Sequence, residues 1–130
     1  MLSKLHSEKM LRRPGRYRKL VVLGSPMVKE SHLLAVARQF GLDEDCFEFC
    51  LSYEKAKTYP YQKLKNTEKY EAVIVGPIPH STKGKGSYSS AIAAMESDAS
   101  YPPVYRVEKI TRASFRTVLS RIAEKEYAAA

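Results

Sequence analysis

Residues 71–98 read EAVIVGPIPHSTKGKGSYSSAIAAMESD, and this stretch decides the fold. An apolar run from Ala72 to Val75 ends at Gly76-Pro77, a polar loop with two glycines follows, and small residues then favour a helix. A strand that leads through such a loop into a helix is the site-bearing unit of an open α/β sheet, because ligands bind outside the carboxyl ends of the strands. This loop is therefore where we expect a ligand to bind.

Length and composition indicate one ordinary globular domain. The chain has 130 residues, of which 44% are hydrophobic and 28% are charged, and a domain of this size buries a core without disulfide or metal support. No apolar run approaches the roughly 18 residues of a membrane span. The first residues, MLSKLHSEKMLRR, lack the apolar centre of a secretory signal. We therefore expect a cytoplasmic protein that does not bind a membrane.

Positive charge is concentrated at the N-terminus. Residues 1–19 hold seven of the 22 Lys and Arg residues but one of the 14 Asp and Glu residues, so most of the net charge of +8 lies there. Two interpretations stay open for this basic segment. Residues 4–19 contact nucleic-acid phosphates, or they form a solvated linker to an upstream domain or protein partner.

Domain boundaries follow from this charge distribution and from Pro14-Gly15, which stops a thinly apolar N-terminal helix. We assign residues 1–18 to a basic helical leader, residues 19–126 to the folded domain, and residues 127–130 to a tail.

Cys46 and Cys50 stand four residues apart, without a second cysteine pair. The three histidines are scattered along the chain, so zinc-site spacing is absent. We predict two buried or half-buried unbridged thiols, no metal site and no cofactor; a metal or redox role is the alternative.

The remaining sequence alternates between strand and helix signals. Short apolar runs bounded by turn residues predict four strands, at Lys19–Gly24, Phe47–Ser52, Glu71–Gly76 and Pro103–Val107. Apolar residues at helical spacing predict helices at Val28–Phe40, Ser87–Ser97 and from Thr111 onward, with at most a short helix near Pro60–Lys65 between the second and third strands.

This order predicts an α/β fold. Right-handed crossovers give a doubly wound, mostly parallel four-stranded sheet in the order 2-1-3-4, with helices on both faces. The first and third strands are then neighbours, and Gly24 and Gly76 flank the same crevice.

An anion site is the natural use of that crevice. Helix-start N–H groups attract anions, glycines allow close approach of the backbone, and lysines add charge. Neither the GxxxxGK[ST] nor the GxGxxG pattern is present, and a solvated loop is the alternative. The predicted ligand-binding residues are Gly24, Ser25, Gly76, His80, Ser81, Lys83, Gly84, Lys85, Gly86 and Ser87.

His80 and Glu96 are the candidates for catalysis. The two prolines before His80 fix where its imidazole points, so it can serve as an acid, a base or a phosphate donor. Glu96 lies on the second crossover helix, and its spacing from Ser90 is similar to that of the serine and glutamate in TIR-type glycosidases, although the tryptophan and cysteine between them there are missing here. A surface glutamate is the alternative.

The layout also resembles small uncharacterised bacterial Rossmann-like domains with flavodoxin-like topology, which often follow a helical or coiled-coil leader. The matching pieces are Val21 to Gly24, Val73 to Ser81, Pro103 to Val107, and Thr111 to Leu119. The inserted KGKGSYSS segment departs from the pattern. The resemblance implies a fold and a modular context, without an activity.

These observations lead to three hypotheses. The leading one is a sensor or interaction module that binds a nucleotide or another phosphate-bearing anion between the loops at Gly24-Ser25 and at residues 80–87. The second is a phosphohydrolase or nucleoside N-glycosidase that uses His80 and Glu96. The third is a nucleic-acid-binding or scaffold protein that acts through its basic N-terminal arm. A homodimer is a further expectation, because small doubly wound sheets often cover an edge by dimerising.

Overall fold

The computed structural model describes residues 18–77 and 85–129. Within them the strands are β1 (Lys19–Leu23), β2 (Phe47–Cys50), β3 (Tyr70–Val75) and β4 (Val104–Arg106). The α-helices are α1 (Glu30–Arg38), α2 (Tyr53–Thr58), α3 (Lys85–Ser97) and α4 (Arg112–Ala129). Short 3-10 helices occupy Glu44–Cys46 and Tyr61–Leu64. Residues 1–17 of the predicted helical leader lie outside the described residues, whereas α4 extends into the predicted tail.

The sheet confirms the predicted α/β topology. Its four strands are parallel and lie in the order β2-β1-β3-β4. The chain leaves β1 towards β2 on one side and leaves β3 towards β4 on the other. The sheet therefore has a topological switch point between β1 and β3.

Both faces of the sheet are covered, which explains why the central strands are apolar without alternation. On β1, Leu20 and Val22 face the layer formed by α1 and α4, whereas Val21 and Leu23 face the layer formed by α2 and α3. All four side chains are buried.

The helix signals of the sequence hold in the structure. The apolar residues that predict α1, α3 and α4 are all buried; they are Leu33, Val36, Ala37, Phe40, Ile92, Met95, Phe115, Val118, Leu119 and Ile122. Gly41 follows α1 with a φ of 78°, a left-handed conformation that favours glycine. Thr111 caps α4, because its hydroxyl accepts a hydrogen bond from Ser114 N at 3.0 Å.

The prediction for the segment between β2 and β3 was incomplete. It missed α2, which begins after Ser52, whose hydroxyl accepts a hydrogen bond from Lys55 N at 3.2 Å. The short helix predicted near Pro60–Lys65 is a 3-10 helix at Tyr61–Leu64. Pro60 separates the two, since proline lacks the N–H that would continue an α-helix.

A bulge at the start of β3 redirects one tyrosine. Lys19 pairs with Tyr70 and Leu20 pairs with Ala72, so Glu71 is an extra residue in β3. The extra residue turns Tyr70 to the α2–α3 face, where it packs with Val73.

The ends of β1 and β3 approach each other so closely that no side chain fits between them. Gly24 has a φ of 120°, and a Cβ added to it would lie 2.7 Å from the carbonyl oxygen of Gly76. A Cβ added to Gly76 would lie 2.5 Å from Cγ1 of Ile110, a fully buried side chain from the β4–α4 connection. The two glycines are therefore required by packing, whatever else they do.

We expect Gly76→Ala to lower the free energy of unfolding by about 1–3 kcal/mol, the usual cost of overpacking a core. The clash is with the side chain of Ile110. In an Ile110→Ala background, Gly76→Ala should therefore lower the free energy of unfolding by at least about 1 kcal/mol less than it does in the wild type. Gly24→Ala is the matched control: its clash is with backbone, so Ile110→Ala should not relieve it. Denaturant unfolding of the single and double variants measures the coupling free energy of each glycine substitution with Ile110→Ala. Equal coupling free energies for Gly76→Ala and Gly24→Ala would contradict this packing.

Candidate functional site

The carboxyl edge of the sheet joins the strand ends that the sequence predicts to form a site. Gly76 N donates to Leu23 O at 2.8 Å, and Ser25 N donates to Pro77 O at 2.8 Å. Gly24 N donates to Cys50 O of β2 at 3.1 Å. Three neighbouring strands thus end together at this edge, with Ser25 just beyond β1.

The structure describes six of the predicted binding residues and brings three of them together. Gly24, Ser25 and Gly76 lie side by side, and residues 85–87 form the first turn of α3. The hydroxyl of half-buried Ser25 has no hydrogen-bond partner among the described residues. The other predicted binding residues lie outside the described residues; they are His80, Ser81, Lys83 and Gly84.

One side of this edge is closed by the chain itself. Pro26 forms a β-bridge with Ile110, and Met27 N donates to Ile110 O at 2.8 Å. The side chain of Ile110 belongs to the core under α1 and α4. The N–H groups of Ser25 and Met27 are therefore used within the protein, and the α1–α4 side of Gly76 is covered.

Glu96 lies near the C-terminal end of α3 and contacts Arg106, the last residue of β4. It is the twelfth of the 13 residues of α3, about 16 Å along the helix axis from Lys85. Arg106 donates to both of its carboxylate oxygens, from Nε at 2.6 Å and from Nη2 at 2.9 Å. These hydrogen bonds lower the pKa of Glu96. In this structure Glu96 ties α3 to β4.

The sequence analysis missed a polar cluster around Glu48 on the α2–α3 face. Glu48 Oε1 accepts hydrogen bonds from the hydroxyl of Tyr59 at 2.7 Å and is 2.9 Å from Nζ of Lys63. Glu48 Oε2 accepts from the hydroxyl of Tyr70 at 2.7 Å. Lys63 also lies over the rings of Tyr59 and Tyr70. The bulge in β3 brings Tyr70 to this cluster, and no local sequence pattern predicts that bulge.

The electrostatics of this cluster indicate a structural role. Partial burial by itself would raise the pKa of Glu48, but hydrogen bonds from Lys63, Tyr59 and Tyr70 together outweigh it and lower the pKa. Burial, reinforced by Glu48, raises the pKa of Tyr59 and of Tyr70. Burial also raises the pKa of the neighbouring Tyr61 to about 12. Raised pKa values keep these phenols protonated as hydrogen-bond donors, and the contacts of Tyr59 and Lys63 with Glu48 fasten residues 53–64 to the sheet.

A cavity of about 520 Å³ lies at the opposite, amino edge of the sheet, among Pro102, Tyr101, Tyr105 and the residues around Arg18. The guanidinium of Arg18 reaches Glu71 at 3.4 Å and Glu68 at 3.5 Å across it. Ligands of doubly wound sheets bind at the carboxyl edge. The topology therefore does not predict a ligand site at this cavity.

Cys46 and Cys50 are both buried and unbridged, as predicted. Burial raises the pKa of the Cys50 thiol, with a further contribution from Glu48. Across residues 18–77 and 85–129, no three His, Cys, Asp or Glu side chains are grouped to hold a metal ion.

None of the helices in the described part of the chain is long and apolar enough to cross a membrane.

Comparison with known proteins gives no match to a protein-family model, a curated protein or a solved structure. The function of this chain therefore has to follow from its own geometry and chemistry.

We expect Glu48→Gln to lower the free energy of unfolding by about 1–3 kcal/mol at neutral pH, because hydrogen bonds to a charged acceptor are lost. Since folding lowers the pKa of Glu48, its contribution is present above the ordinary carboxyl pKa of 4.5 and is lost as the pH falls through the lower, folded-state value. The gap between wild type and variant should therefore narrow in acid.

Denaturant unfolding over a pH series measures this gap. Glu54→Gln, at an exposed glutamate on α2, is the matched control and should leave stability nearly unchanged. A Glu48→Gln variant as stable as this control at neutral pH would show that the cluster does not fasten the segment.

Proposed function

We propose that this chain is a ligand-binding α/β domain that takes a nucleotide or another phosphate-bearing anion at the carboxyl edge between β1 and β3, and that it acts as a sensor or interaction module. The observation that carries the proposal is the switch point itself. The adjoining ends of β1 and β3, at Gly24 and Gly76, continue in opposite directions. Doubly wound sheets bind their ligands where two neighbouring strands diverge in this way.

The start of α3 supports an anion as the ligand. The first N–H groups of a helix have no partner within the helix and carry partial positive charge. The α3 helix begins at Lys85, within ten residues of the end of β3, and Gly86 follows. An anion at this edge would meet the helix amides, and Lys83 and Lys85 would add charge.

The packing around Gly76 indicates the side from which a ligand would approach. Because Ile110 and Pro26 close the α1–α4 side, a ligand at this edge would enter from the side of α3. The hydroxyl of Ser25 is the polar group of the β1 loop that remains for it, since the N–H of Ser25 is bound to Pro77.

The catalytic alternative has less support. An N-glycosidase or phosphohydrolase that uses His80 and Glu96 requires a free carboxyl group at Glu96, whereas this carboxylate is held in an ion pair with Arg106. Nucleic-acid binding by residues 4–19 and a homodimer remain predictions from the sequence.

A thermal-shift panel of nucleotides, cyclic nucleotides and inorganic anions tests the proposal. A ligand present at a hundred times its Kd stabilises the folded state by about 2.7 kcal/mol, so the Tm should rise by several degrees. We expect Lys83→Ala together with Lys85→Ala to remove most of that rise.

The matched control is Lys19→Ala together with Lys69→Ala, which removes two exposed lysines from the amino edge. This pair should keep the full rise in Tm. The proposal fails if no compound stabilises the wild type, or if the two double variants respond alike.

A further inference from the structure

The two outermost strands of the sheet are built differently. The strand β4 has three residues, follows Pro102-Pro103 and ends at Arg106, which is paired with Glu96. Proline and charged side chains are among the features that prevent an outermost strand from pairing with another chain. The strand β2 contains no proline, glycine or lysine, its register with β1 has no bulge, and its charged residue, Glu48, is ion-paired with Lys63. The strand β2 therefore lacks the protection that β4 has.

The backbone of β2 presents polar groups on its outer side, the side away from β1. Gly24 N donates to Cys50 O, so the backbone groups of Cys50 face β1. Because alternate residues of a strand face the same neighbouring strand, Phe47 and Phe49 turn their N–H and C=O groups outward. Phe47 N donates to Glu44 O, but no strand in the described part of the chain pairs with the outer side of β2. Outward N–H and C=O groups of this kind are a template for a further strand.

Apolar side chains accompany these backbone groups. Phe49 and Leu51 are half-buried and pack against the core under α1 and α4. The ring of Phe49 stacks on the ring of Phe47, with the two centroids 5.0 Å apart. A strand added along β2 would cover the part of Phe49 and Leu51 that is still exposed. Burial of this apolar surface would add to the backbone hydrogen bonds.

The charges at the two ends of β2 favour a second copy of the chain as the added strand. Residues 43–45, before β2, are all acidic and exposed, whereas the exposed Lys55 and Lys57 outnumber Glu54 on α2, after β2. Burial raises the pKa of Cys50 at the end of β2, and Lys55 lies close enough to oppose that rise. Antiparallel pairing of two β2 strands places the acidic end of each against the basic end of the other. Parallel pairing would place like charges together, which is unfavourable.

We propose that a second copy of this chain pairs antiparallel with β2, about a twofold axis at Phe49, and joins the two four-stranded sheets into one. The N–H and C=O groups of Phe49 then bond to the same groups of the other copy, and Leu51 N of each copy donates to Phe47 O of the other. Such an interface closes on itself, because each copy contributes the same strand, so a dimer forms rather than a filament. The dimer does not depend on a ligand at the carboxyl edge.

Charge reversal tests this pairing in the full chain. An acid-reversed variant carries Glu44→Lys and Asp45→Lys, and a base-reversed variant carries Lys55→Glu and Lys57→Glu. Asp43 is kept, because its carboxylate caps the 3-10 helix before β2. Each variant places like charges together in its own dimer, so each should raise the dimer dissociation constant more than about tenfold in sedimentation equilibrium.

Mixing the two variants gives the most specific result. In a mixed dimer both ends of β2 again meet a segment of opposite charge, so an equimolar mixture should restore the dimer that neither variant forms alone. The matched control carries Glu108→Lys and Glu124→Lys, which reverse two exposed carboxylates beyond β4. It should dimerise as the wild type does. Circular dichroism and the Tm show that each variant is folded.

Amide hydrogen exchange identifies what covers the outer side of β2. The Phe49 amide should become more protected as the protein concentration rises, and both charge-reversed variants should lose that protection. Protection that is independent of concentration would assign β2 to a segment of the same chain, such as residues 1–17, and would overturn the proposal. The proposal is also overturned if the wild type is a monomer at every concentration, if the mixture does not dimerise, or if the control dimerises as weakly as the reversed variants.

Discussion

The close approach of two backbones at Gly24 and Gly76 is the constraint on which this structure depends. Neither residue can carry a Cβ, since one would meet the opposite strand and the other the side chain of Ile110. The contact brings the ends of β1 and β3 together and places Ile110 over one side of them. This packing completes the core and also fixes the carboxyl edge of the sheet. From this edge the chain continues to α1 on one face of the sheet and to α3 on the other.

A second constraint holds the opposite layer. In residues 53–64, Ala56 and Leu64 are buried, and Tyr59 and Tyr61 pack half-buried against the same core. Glu48 attaches this segment to the sheet. It accepts hydrogen bonds from Tyr59 and Tyr70 and forms an ion pair with Lys63. This half-buried carboxylate and its donors therefore add polar contacts to the apolar packing of the crossover.

Local pattern was enough to predict the strand order and the helices packed by periodic apolar residues, because parallel strands and amphipathic helices leave period-specific signals. Local pattern did not predict the short elements or the long-range polar contacts. The helix α2 has six residues and is fixed by Ser52 and by tertiary contacts, and the bulge that aims Tyr70 at Glu48 has no local signature. The glycines at positions 24 and 76 were predicted as ligand contacts, and the structure adds a packing reason for both.

The most direct test of this account is the pattern of backbone amide chemical shifts while a nucleotide or inorganic phosphate is added to the labelled protein. The account predicts saturable changes that are largest at Ser25, Gly76 and Gly86, around the carboxyl edge. Changes confined to the amino edge, near Asn66 and Ser100, or no saturable change with any phosphate compound, would contradict it.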